Sequence, residues 1–441
     1  MVGWLKFCSW SFQRQMILAR AARAVVKRVR GRVPVFIEAM EQRRLLTSLC
    51  NPGVNFTYDG DSNANAITAS TSGATLTVSD GTTSCAWNES QVSTLMITGG
   101  PGNDSITIAT SVSVATIGVD GNDGNDGIAG GNGGETLTGG AGDDTIKGGL
   151  GADVMSGGGS SGDWLNYGDK SAAVTCDLDI ATCGTSGEND SQSGFNNLIG
   201  GSGADTLGGN SSANKIYGGA GNDVIHGDSG NDTIRAEGGN DHLYGDDGDD
   251  VLNGDFDTQS GSEGADTIEG GNGTDLVDYS GRTGNLTITA NDASANDGLS
   301  GEGDYVLDDI ENIDGGSGAD DITGNARDNL IRGWAGNDTI HGLGDNDTIV
   351  GDSLGNGNDL IYGGLGDDWI DGAGGNDTLY GEGGQDSLTG GAGNDQLLGG
   401  DDADHFYAAD GSADTIDGGA GDNATDISDS IEGSDTYFNF P

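Results

Sequence analysis

An aspartate recurs every nine residues between Gly363 and Tyr407, where five consecutive units read GGLGDDWID, GAGGNDTLY, GEGGQDSLT, GGAGNDQLL and GGDDADHFY. Glycines open each unit, the sixth position is acidic (Asp368, Asp377, Asp386, Asp395, Asp404) and the eighth is large and apolar (Ile370, Leu379, Leu388, Leu397, Phe406). Carboxylates are hard oxygen ligands. Glycines at the first, second and fourth positions permit positive φ, so that successive main-chain carbonyls can turn toward one point. A set made only of carboxylate and carbonyl oxygens suits calcium, which takes roughly six to eight such ligands, better than magnesium, which keeps its waters in a tight octahedron. Several calcium ions are therefore the expected cofactor, with the Asp carboxylates and the turn glycines, among them Gly363, Gly364, Gly366, Gly390, Gly391 and Gly393, as ligands.

The same unit recurs upstream. A first block starts at Gly121 and places Asp126, Glu135, Asp144 and Asp153 at its sixth positions, with Asp163 following a one-residue insertion. A second block starts at Gly200 and places Asp205, Asn214, Asp223, Asp232, Asp241 and Asp250 there, then Asp266 and Asp275 after a longer insertion; Gly218, Gly219 and Gly221 represent its turn glycines. A third block starts at Gly315 with Asp320, Asn329, Asp338, Asp347 and Asp359 and runs into the five units above. Asn214 and Asn329 break the pattern and Glu135 is longer by a methylene, so weak or empty sites are expected there.

A glycine-rich half-turn followed by one inward apolar side chain cannot bury that side chain alone, so the unit must stack on copies of itself. The expected fold is all-β, a parallel β-roll or β-helix solenoid of nonapeptide repeats with an N-terminal β-rich cap. With two units to a coil, residues 18 apart in sequence stack, which pairs Asp223 with Asp241, Asp232 with Asp250 and Asp377 with Asp395. Stacked carboxylates repel unless an ion lies between them. Asp368, Asp386 and Asp404 should line one side and Asp377 and Asp395 the other.

Domain boundaries follow from the period. Residues 1–49 form a basic leader, 50–119 a β-rich cap of short Thr-, Ile- and Val-rich strands, 120–166 the first repeat block, 200–278 the second and 315–421 the third, with a cap or secretion tail at 422–441. Between the blocks lie two inserts, 167–199 and 279–314, that resemble each other: NYGDKSAAVTCDL matches DYSGRTGNLTITA, and an Asn-bearing unit follows each. Each reads as two alternating strands and an acidic loop, a hairpin-like protrusion or sheet extension on the solenoid.

The tandem GGxGxDxUx pattern, with U a large apolar residue, resembles the RTX, or hemolysin-type, calcium-binding nonapeptide repeat. The likeness covers residues 121 to about 421 and implies a parallel β-roll with calcium in the turns, folding after export. The segment FIEAMEQRRLLTS (Phe36 to Ser48) resembles a leader found near the start of some bacterial secreted repeat proteins.

Composition agrees with an extracellular, ion-loaded chain. There are 86 glycines and only 4 prolines, without a G-X-Y period. The 71 acidic and 17 basic residues give −54; removing the 10 basic and 2 acidic residues before residue 48 leaves 69 against 7, or −62. That field argues against nucleic acid as a partner and calls for cations. No apolar run is long enough for a transmembrane helix. Of the five cysteines, Cys176 and Cys183 flank one short segment and are placed for a local bridge. No CxxC or Cys/His cluster supports zinc, the histidines His226, His242, His341 and His405 read as exposed strand residues, and DGNDGNDG (Asp120 to Gly127) fails the EF-hand pattern at Gly124. H-E-x-x-H is absent, and residues 50–119 are too short and repetitive for a usual catalytic domain, so no enzyme is expected. The function that follows is a secreted or cell-surface bacterial calcium-binding protein with a surface, matrix or adhesive role, whose partners are calcium and a cell-surface or extracellular polysaccharide or protein. The alternative is a calcium-dependent extracellular carbohydrate-active or hydrolytic enzyme built on the solenoid.

Overall fold

The computed structural model describes residues 55–60, 62–81, 84–255, 264–291, 296–353, 355–408, 412–419, 427–428 and 435–439. The chain divides into two units, Met1–Asn51 and Pro52–Pro441; the basic leader lies outside the described residues.

Among the described residues strands account for every element except one short 3₁₀ turn, Glu89–Gln91. Two sheets are built by the alternate half-turns of each coil. One runs without a break from Ala66–Ser72 through Ser105–Ile108, Gly127–Ala129, Thr145–Lys147, Trp164–Asn166, Asn197–Ile199 and Lys215–Ala220 to His405–Tyr407 and Ile427–Ser428, every step parallel. The second is interrupted at the second insert: its first part carries Asn55–Asp59, Thr94–Pro101, Thr116–Asp123, Glu135–Ala141 and Val154–Gly158 at its start and ends on Tyr305–Val306, and its second part runs from Gly298–Leu299 to Thr378–Gly383, Gln396–Asp401, Thr415–Gly419 and Thr436–Phe438. Both described strands beyond residue 421 thus continue the two sheets of the roll.

Short strands of this sequence form because the side chains alternate in and out with period two, and each strand has one central inward residue to bury. The registers stack like on like: Ile225 pairs with Leu243, Ile349 with Ile370, Leu379 with Leu397 and Leu388 with Phe406. All of these are fully buried, so the core is a pair of facing ladders of eighth-position side chains. Each contributes about 1.5–3 kcal/mol relative to exposure, and none can do so without the coil above and below.

At the N-terminal end the period is replaced by an antiparallel meander, Ala66–Ser72, Thr75–Ser79 and Ser84–Asn88, which buries Leu76 and Val78 on the first parallel coil. A solenoid end that pairs its edge with its own antiparallel strands leaves less exposed edge for intermolecular pairing.

Among the described residues, the strands of both inserts pair with the sheets of the roll. Val174–Asp177 and Thr182–Thr185 form a hairpin, joined by a disulfide between Cys176 and Cys183, and Thr182–Thr185 pairs antiparallel with Asp190–Ser193. The outer strands of this trio are parallel to their repeat neighbours, Val154–Gly158 on one side and Thr206–Asn210 on the other. The second sheet therefore carries three strands where the first steps directly from Trp164–Asn166 to Asn197–Ile199, and Cys176 stands in the core register opposite Leu207. In the second insert Leu286–Thr289 and Gly298–Leu299 form the hairpin, with Ile288 in the corresponding core register opposite Ile322.

Candidate calcium turns

The sixth-position carboxylates stand in two files, one along each edge of the roll. Along one edge the main-chain N–H of Asp347 donates to Oδ1 of Asp368, that of Asp368 to Asp386 and that of Asp386 to Asp404, at 2.8, 2.9 and 3.0 Å. Along the other, Asp359 donates to Asp377, Asp377 to Asp395 and Asp395 to Asp414. In the second block Asp223 donates to Asp241 and Asp232 to Asp250, both at 2.7 Å, each pair 18 residues apart. One carboxylate oxygen is thus used in tying each coil to the coil before it.

In many of these residues the other oxygen meets no donor. Oδ2 of Asp126, Asp144, Asp153, Asp223, Asp232, Asp241, Asp250, Asp266, Asp275, Asp338, Asp347, Asp359, Asp368, Asp377 and Asp386 is buried without a hydrogen-bond partner. These residues are at most 3% exposed. A buried carboxylate oxygen without a donor costs several kcal/mol when ionised, and a stack of them cannot persist without a cation or a proton. Burial accordingly raises their affinity for protons: Asp266, facing Asp304, is pushed up to about 9, Asp338 to about 8, and Asp241, Asp359, Asp377 and Asp386 to about 7.

The glycines explain what shares that space. A Cβ on Gly363 would lie 2.3 Å from Asp368 Oδ2 and 3.0 Å from the carbonyl oxygen of Gly381. The first glycine is therefore required for room, not for a positive φ as the motif alone suggests. Positive φ belongs to the second and fourth positions, as at Gly364 (122°) and Gly366 (137°). At the fourth position a side chain would also collide with the coil before it, 2.1 Å from the Asp345 carbonyl at Gly366. Carboxylate and carbonyl oxygens thus converge beside the first glycine of these turns, and no hydrogen-bond donor reaches the Oδ2 atoms named above. Hard oxygens without soft or nitrogen ligands fit calcium.

Some members of the files were not identified from the period. Asp104 holds the sixth position of GGPGNDSIT (Gly99 to Thr107), which carries the nine-residue pattern inside the N-terminal cap, and Asp414 takes such a place in the segment around GSADTID, where the Asp followed two residues later by Ile was the available signal. Asp190 and Asp304, in the inserts, receive the N–H of Asp153 and Asp266 and close two files. Glu311 accepts from the N–H of Asp275, its extra methylene spanning to Oε2 at 3.0 Å. The inserts divide each edge: one edge runs Asp104–Asp163, Asn214–Glu311 and Asn329–Asp404, the other Glu135–Asp190, Asp205–Asp304 and Asp320–Asp435.

The histidine rings pack on tyrosines, and His226 Nδ1 lies 2.9 Å from Oδ2 of Asp246, the second residue of a repeat turn. His226 and His242 stack on Tyr244 and His341 on Tyr362, with ring centroids 4.1–4.6 Å apart on the outer face of the second sheet.

Fold and turns together define a calcium-binding parallel β-roll. The model of the RTX calcium-binding nonapeptide repeat (4 copies) matches residues 129–162, 191–225, 199–234, 226–258, 253–281, 314–349, 354–388 and 380–412, and the chain belongs to that repeat family. The unmatched stretches 163–190 and 282–313 fall on the two inserts. No curated protein matches the chain.

Proposed function

We propose that this protein is exported and folds on meeting calcium, and that the loaded roll is a non-catalytic structural element of a cell surface or extracellular matrix. The supporting observation is the double file of buried carboxylates, in which residues such as Asp223, Asp241, Asp377 and Asp386 each have one oxygen tied to the preceding coil and one without a donor. The sixth-position Asp residues supply carboxylate oxygens and the turn glycines carbonyl oxygens to the ions. Calcium supplies the positive charge that lets neighbouring coils approach, so binding and folding are one equilibrium. The cytosol holds too little free calcium to load many such turns, whereas the exterior supplies it, which is the reason for assigning the protein there. A roll whose turns are lined by carboxylates suits a matrix or adhesive role toward a surface polysaccharide or protein. Among the described residues no helix is long and apolar enough to cross a membrane.

The test is a calcium titration of the full chain followed by circular dichroism and hydrodynamic radius. A cooperative gain of β signal with compaction supports the reading, with magnesium substituting poorly. A chain equally compact in chelator would refute calcium-coupled folding, and calcium-dependent turnover of polysaccharide, ester or peptide substrates would refute the non-catalytic role.

A further inference from the structure

We propose that the two inserts are calcium-free belts, in which the chain's own donors and one buried cation occupy the place that ions hold between the repeat turns. The proposal rests on the reading above, that donorless sixth-position carboxylates mark the ion sites, and identifies the turns that depart from it.

The first belt is complete on both edges. Asn214 Oδ1 takes the N–H of Asn210 in its own turn at 2.7 Å, and its amide nitrogen donates to the Asn196 carbonyl at 2.7 Å. The turn carbonyl thus receives an N–H. On the opposite edge Asp205 is satisfied at both oxygens, Oδ1 by the Val174 N–H at 2.7 Å and Oδ2 by the Gly201 N–H at 2.5 Å. Deeper in the insert the ammonium of Lys170, 7% exposed, donates to the carbonyl of Gly149, the second residue of a repeat turn, and lies 2.5 Å from Glu188 Oε1. The Tyr167 hydroxyl donates to Asp190 Oδ2, the oxygen left without a donor in ordinary turns.

The second belt repeats the arrangement. Asn329 takes the Asn325 N–H at 2.8 Å and donates to the Glu311 carbonyl at 2.9 Å. Asp320 is satisfied by the N–H groups of Leu286 and Gly316, and the Tyr279 hydroxyl donates to Asp304 Oδ2. Arg282, 3% exposed, pairs with Glu302 and with Asp255, again the second residue of a repeat turn. Asp255, Asp266 and Asp304 bring carboxylate oxygens within 4.8 Å of one another, an arrangement that draws a cation, and the guanidinium supplies one covalently. An amide and an ammonium both donate hydrogen bonds to carbonyls, as an ion would attract them, and neither leaves on chelation. The belts therefore separate three independently loaded runs of calcium turns, and they hold their coils together when calcium is withdrawn.

Hydrogen exchange of the full chain, in calcium and after chelation, tests this. The expected result is that amides of Val174–Asp177, Asn210, Leu286–Thr289 and Asn325 exchange roughly tenfold or more slowly after chelation than those of Thr378–Gly383 and Asp386. Equal loss in both sets overturns the proposal. If chelation opens neither set, calcium-coupled folding fails, and the belts are then judged by bound calcium in the Asn214→Asp, Asn329→Asp double variant. A gain in ions bound per chain over the parent supports ion-free belts; an unchanged number overturns them.

Discussion

Asp368 donates its main-chain N–H to Oδ1 of Asp386 at 2.9 Å, while Oδ2 of the same Asp386 is buried without a donor. One side chain therefore does two things: it fixes the register of adjacent coils, and it presents a bare oxygen to the turn. Asp386 also donates its own N–H to Asp404, so a change there reaches the coils on both sides.

Asp386→Asn should keep the size and the Oδ1 acceptor but place an amide where the bare oxygen was. Calcium affinity should fall several-fold and bound ions should be lost from neighbouring turns on that edge. The exposed Asp321→Asn serves as control and should change neither. Trp369 adjoins the file at Asp368 and is 41% exposed, so its fluorescence during a calcium titration reports the difference.

Gly363→Ala should destabilise the calcium-loaded roll by about 2–3 kcal/mol, because the new methyl group meets Asp368 Oδ2 and the Gly381 carbonyl in a space with no slack. Gly344→Ala offers the contrast, since its Cβ would meet nothing closer than the Leu365 carbonyl at 3.9 Å. Thermal unfolding in excess calcium should separate the two variants. Equal melting temperatures would show that the first glycine is not held by space.

Acid should act in opposite directions with and without calcium. In chelator the folded-state affinity for protons is raised at Asp266 (about 9), Asp338 (about 8) and Asp377 (about 7) from 3.8. The folded state then binds more protons than the unfolded one between those limits, so its stability falls as pH rises from about 4 to about 8. Lowering the pH of the calcium-free chain should therefore promote β structure. In calcium the ligands are carboxylates and protons compete for them, so the calcium midpoint should rise as pH falls. Circular dichroism across pH 4 to 8 in both conditions checks the two signs.

Cys176→Ser should weaken the first insert alone. The bridge closes a short loop, sequence separation 7, for which chain-entropy estimates give about 2–3 kcal/mol. Hydrogen exchange should increase around Thr182–Thr185 and stay unchanged at Leu286–Thr289, whose hairpin is held by Asp297 accepting the Thr289 and Val306 N–H groups.

Most of the roll is legible in the linear chain because its interactions repeat at a fixed interval. A period of nine with glycines first, Asp sixth and an apolar residue eighth specifies a half-coil, and stacking at 18 residues follows for pairs such as Asp223 and Asp241. The oxygen-rich composition of that unit also points to calcium before any coordinates are considered. What repetition cannot convey is what happens where it stops. Whether the inserts stand out from the roll or lie within it depends on which edge strands of the repeats remain unpaired, and those pair with Val174–Asp177 and Asp190–Ser193 across long sequence gaps. The role of the first glycine likewise came from a through-space contact with Asp368, not from backbone preference. Lys170 and Arg282 are single basic residues in unremarkable sequence, and only the packing of distant segments sets them against Gly149 and Asp255. Local periodicity determined the coil; tertiary contact decided which turns need an ion.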